Sequence, residues 1–114
     1  MTVYVDDVEH RFGRMLMCHL WADSVDELFA MVDRIGVQRK WLQQPPKASW
    51  VHFDISLGKK KLAIAAGAVL TDQFGPVEFR SRLHIASGDP ARIAMGQRRL
   101  DQIAASRALR SKAQ

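Results

Sequence analysis

The sequence has little cysteine and no long apolar run, and these two scarcities already exclude several classes of protein. Cys18 is the single cysteine among 114 residues, so no internal disulfide can form and the usual cysteine-based zinc site is excluded. The longest apolar run, Leu62 to Leu70, is too short to cross a bilayer, and no N-terminal signal pattern is present. We therefore expect a protein of the reducing cytoplasm that does not associate with a membrane.

Acidic residues are scarce in the last third of the chain. Residues 73–114 contain eight Lys and Arg against three Asp and Glu, whereas residues 1–72 contain nine of each. Eight minus three accounts for the whole net charge of +5. This asymmetry predicts a core over residues 1–72 and a basic arm with a helical extension over residues 73–114, both within one domain.

Hydrophobic periodicity and helix caps predict an α+β fold, with a small mixed sheet packed by two helices and a basic C-terminal helix. Apolar and β-branched runs predict strands at Thr2–Val5, Arg14–Trp21, Trp50–Ile55 and Ala68–Thr71. Helices are predicted over residues 25–35, 57–66 and 90–110, each after a capping side chain: Ser24, Ser56 and Asp89. Residues 8–13 are predicted to be a connection and residues 77–85 an extended arm.

One predicted strand carries chemistry on a single face. Because strand side chains alternate, Trp50, His52 and Asp54 share one face, while the three residues between and after them form an apolar face. His19 and Asp6-Asp7 are further polar groups at strand positions. An acid–base role is predicted for His19, His52 and Asp54, and a divalent metal ion could be held by Asp6, Asp7, His19 and His52. The structural alternative is that the aspartates cap turns and the histidines bond backbone carbonyls.

The stretch after this strand suits a phosphate. Ser56 opens a helix, Gly58 lets a ligand approach the backbone, and Lys59 adds a positive charge near free N–H groups. Trp41 could offer its indole to a flat ligand such as a base. The alternatives are a solvated lysine face and a tryptophan buried in the core.

The C-terminal helix has a basic stripe. At 100° per residue, Arg92, Arg99 and Arg110 fall within about 20° of one another, which suits contacts with a phosphate backbone. A solvated arginine face would give the same pattern. His10 and His84 are placed in connections, without a predicted partner.

Several blocks of the sequence resemble a known family. The similar blocks are Thr2 to Asp7, Met17 to Asp23, Ile35-Gly36, Trp41 to Gln43, His52 to Ile55, and Lys60 to Ala68. The family is a bacterial and phage one, numbered four thousand and thirty-one among the domains of unknown function, and the resemblance covers about residues 1–71. Phe53 stands where that family usually has tyrosine. The resemblance implies that these positions form a site, but it implies no reaction.

Two functional hypotheses follow, and they belong to different classes. The first is a small phosphoesterase-like enzyme whose His/Asp site acts on a nucleotide or nucleic acid. The second is a non-catalytic module, of a kind that a phage could encode, that binds nucleic acid or protein with its basic C-terminal helix. Both are compatible with a homo-oligomer, and the choice between enzyme and binding protein stays open at this point.

Overall fold

The computed structural model describes residues 2–113, with the side chain of Ala113 excluded. The chain divides into two compact units, one ending at Gln73 and the other beginning at Phe74. Each unit is described by itself below. None of the helices within residues 2–113 combines the length and the apolar character that crossing a membrane requires.

The first unit is an α+β structure built on a mixed five-stranded sheet. Its strands are β1 (Val3–Val5), β2 (His10–Phe12), β3 (Met15–Ala22), β4 (Phe53–Ser56) and β5 (Val69–Leu70). β3 is the long central strand: it pairs antiparallel with β2 and β1 on one side and with β4 on the other. β5 pairs parallel with β1. The fold class predicted from the sequence is therefore confirmed.

Two helices cover one face of this sheet. They are α1 (Val25–Ile35) and α2 (Leu57–Ala65), and both pack against β3. The capping oxygens are those expected: Ser24 Oγ accepts from Glu27 N, and Ser56 Oγ accepts from Lys59 N, each at 3.2 Å. The core beneath them is closed by fully buried side chains of alternate strand positions and of α1, including Val5, Cys18, Leu20, Leu28, Val32, Phe53 and Ile55.

The segment between these helices contains a short 3₁₀ helix, Arg39–Trp41. The Arg39 guanidinium bonds both carboxylate oxygens of Asp33, at 3.0 and 2.6 Å, and lies 4.7 Å from the Phe29 ring centroid. These contacts attach the 3₁₀ helix to α1. Next along the chain, Leu42 packs against the core, so the segment is fixed on both sides of Trp41.

The second unit is a pair of helices, α3 (Gly75–Ala86) and α4 (Pro90–Ala113). α4 begins as predicted, because Asp89 Oδ2 accepts from the backbone N–H of Arg92 at 3.0 Å. The helices approach closely at Gly96, where an added Cβ would lie 2.6 Å from the Ser81 carbonyl oxygen. The absence of a side chain at Gly96 therefore permits this packing.

Two segments differ from the prediction. The extended arm predicted over residues 77–85 is wrong, since those residues lie within α3. The sequence of α3 has only weak helical periodicity of its apolar residues, so the helix could not be predicted from it. Packing against α4 stabilises the helix instead. The connection predicted over residues 8–13 is also wrong, because it contains β2. This strand has three residues and forms a hairpin with β3, so alternation had too few positions to reveal it.

Candidate functional site

The sheet face opposite the helices carries the polar residues. Alternation along β3 buries Cys18 and Leu20 in the core and turns Met17, His19 and Trp21 to the other face. Strand register brings neighbours to His19: Asp54 of β4 lies directly opposite it, and β2 places His10 opposite Met17. The polar face is therefore assembled from three strands.

Asp6 is fully buried just after β1, and both of its carboxylate oxygens contact His19. Oδ1 accepts from the His19 backbone N–H at 3.0 Å, and Oδ2 lies 2.6 Å from His19 Nδ1. An ionised carboxylate can only accept, so Nδ1 carries a proton, and in the neutral imidazole the lone pair is on Nε2. This hydrogen bond raises the pKa of His19, against partial burial, which acts in the opposite direction.

Three imidazoles converge on one oxygen of Asp54. The Nε2 atoms of His52, His10 and His19 lie 3.6, 3.8 and 3.9 Å from Asp54 Oδ1. The His10 and His19 ring centroids are 5.0 Å apart, and those of His19 and His52 are 5.5 Å apart. We call His10, His19, His52 and Asp54 the histidine cluster.

The orientations of His52 and Asp54 are also fixed by neighbours. His52 Nδ1 lies 3.2 Å from the Trp50 carbonyl oxygen, which again places a proton on Nδ1, so that in the neutral ring Nε2 is an acceptor facing Asp54. The Gln43 side-chain amide donates to Asp54 Oδ2. Gln43 is held in place because its backbone exchanges two hydrogen bonds with His52, both of 2.9 Å. Asp54 thus uses Oδ2 for an amide and presents Oδ1 to the imidazoles.

This arrangement has the donor set of a divalent metal site. Ligand atoms of His10, His19 and Asp54 all lie within 4.8 Å of one another. Neutral imidazole with carboxylate suits zinc and the neighbouring first-row metals. The contact between Asp6 and His19 has the form of the carboxylate that orients a metal-bound histidine from behind. The Nε2 atoms of His19 and His52 face Asp54 Oδ1, and with both rings neutral these three atoms could coordinate one cation.

Aromatic rings border the cluster on one side. Trp50 stacks on His52 with centroids 4.3 Å apart, and its ring meets Trp21 edge-on at 5.6 Å. Tyr4 stacks on Trp21 at 5.6 Å, and its hydroxyl donates to Asp23 at 2.9 Å. Partial burial raises the pKa of Tyr4, and the Asp23 carboxylate adds to the effect. These three rings form the aromatic border of the cluster.

The residues of the histidine cluster and its neighbours all lie within the part of the chain that matches one known family. Residues 3–83 match the family described as "Protein of unknown function (DUF4031)". The chain belongs to this family. The match extends past residue 71, where the resemblance was expected to end, and reaches into α3. Comparisons with curated proteins and with solved structures gave no match.

Within this DUF4031 chain, the structure separates the predicted site residues into two groups. His19, His52 and Asp54 come together, with Asp6 behind His19, whereas Asp7 is exposed. Ser56 Oγ is used as the cap of α2, and Lys59 Nζ donates to the Ile35 carbonyl at the end of α1, at 2.8 Å.

The remaining predicted residues lie elsewhere on the chain. Trp41 is not buried in the core but 62% exposed. Arg92 and Arg110 are exposed on α4 and Arg99 is half-buried there, beyond the residues that match the DUF4031 family.

Two residues of the site were missed by sequence reasoning. His10 lies in the predicted connection, where Gly13 was the one hairpin signal; the hairpin that closes there pairs His10 with Met17. Gln43 was grouped with Trp41 but given no role in the cluster. Its place depends on the bridge to His52, and no local pattern predicts that bridge.

Proposed function

We propose that this protein is a metal-dependent hydrolase of the phosphoesterase type, which acts on a nucleotide or nucleic acid. The observation that carries the proposal is the convergence of three imidazole Nε2 atoms on Asp54 Oδ1, at 3.6 to 3.9 Å. Two ligands about 2.1 Å from one ion are about 3.0 to 3.6 Å apart at angles of 90–120°. Small inward movements of these side chains would therefore complete a metal site.

Each residue has a distinct part in this proposal. His10, His19 and Asp54 hold the ion, Asp6 orients His19, and His52 is near enough to complete the ligand set or to exchange a proton with substrate. A bound divalent ion lowers the pKa of water and polarises a phosphoryl oxygen, which is the chemistry that phosphoester hydrolysis needs. The excess of positive charge in residues 73–114 supports a polyanionic substrate. We place this activity in the cytoplasm, where Cys18 stays reduced.

The test begins with metal binding. Protein stripped with a chelator is titrated by calorimetry with Zn²⁺, Mn²⁺ and Co²⁺, and Co²⁺ is also followed by its visible absorption. We expect one ion per chain, and loss of at least tenfold in affinity for His10→Ala and for Asp54→Asn. The matched control is His84→Ala, because His84 is the one histidine of the four that lies on α3 rather than in the cluster.

Hydrolysis is then measured with the same variants. Bis(p-nitrophenyl) phosphate and short DNA and RNA strands are incubated with each metal-loaded protein. Activity should require the metal, disappear in His10→Ala and Asp54→Asn, and persist in His84→Ala. Wild-type protein that binds no divalent ion would refute the proposal, as would equal losses in the cluster variants and the control.

A second candidate function is nucleic-acid binding without catalysis. It is favoured by the charge of α4, which carries Arg92, Arg98, Arg99, Arg107, Arg110 and Lys112 against Asp101. Removing Arg92, Arg99 and Arg110 together should weaken binding to duplex or single-stranded probes and flatten its dependence on salt. If the intact protein binds neither probe at low salt, this candidate fails while the metal site is still testable.

A further inference from the structure

We propose that the exposed indole of Trp41 is a stacking platform for a nucleobase, so that the histidine cluster receives its phosphate from a nucleotide unit. The unit is either a free nucleotide or an unpaired residue of a strand. This inference rests on the proposed function for the class of substrate, and it adds that the protein binds the nucleobase of that substrate through Trp41.

The exposure of Trp41 is the first observation. Trp41 is 62% exposed, whereas Trp21 on the polar sheet face is 1% exposed and Trp50 is half-buried against His52. A ligand that stacks on this ring would bury its exposed apolar surface, and such burial is favourable. Any nucleobase can stack on such a ring, because every base has a π-face.

Rigid attachment near the cluster is the second observation. The 3₁₀ helix that ends at Trp41 is tied to α1 by the Arg39–Asp33 ion pair, and Leu42 packs on the core. Gln43 follows, fixed to the His52 backbone and bonded to Asp54. Two residues of chain span at most about 7 Å, so the backbone of Trp41 stands within that distance of a residue that touches the cluster.

Charge beside the ring is the third observation. Lys40 Nζ lies 5.2 Å from the Trp41 ring centroid. The neighbouring Arg39 is neutralised by Asp33, whereas Lys40 has no such carboxylate partner among residues 2–113. An aromatic ring with an adjacent cation is the combination that single-stranded nucleic-acid sites use for base and phosphate.

The experiment compares ligands that differ only in the base. Wild type, Trp41→Ala and the control Phe12→Ala are titrated by calorimetry with AMP, UMP and ribose 5-phosphate, without metal. Phe12 is 72% exposed and lies on β2, so it matches the loss of an exposed aromatic ring. Trp41→Ala should weaken binding of AMP and UMP by roughly 5- to 150-fold, the range for loss of one base stack, and leave binding of ribose 5-phosphate unchanged. Phe12→Ala should change neither.

A short single-stranded oligonucleotide and its duplex form the second arm. Binding of the single strand with little binding of free nucleotides assigns the platform to an unpaired base in a strand, with the same loss in Trp41→Ala. The proposal is overturned if wild type and Trp41→Ala bind every base-containing ligand equally, or if wild type binds none of them. Zn²⁺ binding is measured in a separate titration. A protein that binds no Zn²⁺ would refute the proposed metal site, whereas the comparison of AMP with ribose 5-phosphate would still test the role of Trp41.

Discussion

Replacing Asp6 by asparagine tests whether a buried carboxylate prepares His19 to bind a metal. Asp6 is fully buried and accepts two hydrogen bonds from His19, at 3.0 and 2.6 Å. In Asp6→Asn the amide oxygen can keep the bond from the backbone N–H. The amide nitrogen then faces Nδ1 and donates to it, which moves the imidazole proton to Nε2 and points it into the cluster.

The expected magnitudes follow from these contacts. One charge-assisted hydrogen bond is exchanged for a neutral one, so the free energy of unfolding should fall by about 1–1.5 kcal/mol, the difference between the two kinds of bond. Loss of an orienting carboxylate behind a metal-bound histidine typically lowers metal affinity by about 10- to 100-fold, and the tautomer change acts in the same direction.

The assays separate these two effects. Zn²⁺ calorimetry gives the affinity, urea unfolding gives the stability, and long-range ¹H–¹⁵N NMR of the histidine rings gives the tautomer of His19. The matched control is Asp7→Asn, the same change at the adjacent, exposed aspartate, which should alter none of the three. An Asp6→Asn protein that binds Zn²⁺ as tightly as wild type, with the His19 proton still on Nδ1, would refute this account of the site.

Three further predictions concern single groups of the fold. Tyr4 is the one tyrosine, so absorbance at 295 nm should show it titrating above pH 10, and a midpoint at or below 10 would contradict this. Because its pKa is raised in the folded state, the contribution of Tyr4 to stability is full below about pH 10 and is lost as the pH rises from there through the raised pKa. Burial raises the pKa of the Cys18 thiol to about 11, so a disulfide reagent at pH 8 should label this cysteine only when the protein unfolds. Prompt labelling of the native protein would show that Cys18 is accessible and would contradict this prediction. Gly96→Ala should lower the free energy of unfolding by about 1–3 kcal/mol, because the new Cβ would clash with the Ser81 carbonyl oxygen. The control Gly58→Ala should not destabilise the protein, since no atom lies nearer than 3.9 Å to its new Cβ. Equal urea midpoints for the two variants would exclude the close contact between α3 and α4.

Local sequence determined the elements whose signals are complete within a few residues. Ser24 with Glu27 and Gly36 delimits α1, and Asp89 before Pro90 begins α4, because a cap is a contact between near neighbours in the chain. Strict alternation around His52 and Asp54 likewise placed these two side chains on the face opposite the core. Such features need no knowledge of the rest of the fold.

Tertiary structure alone decided which polar groups meet. His10 reaches the cluster because β2 pairs with β3 in one register, and Gln43 reaches Asp54 because its backbone bridges to His52. The same holds for Lys59, whose ammonium was available to an anion by sequence but bonds the Ile35 carbonyl once α1 and α2 are packed. In each case the partner lies on another element or segment, and such a pairing depends on the register and packing of whole elements, which no local pattern contains.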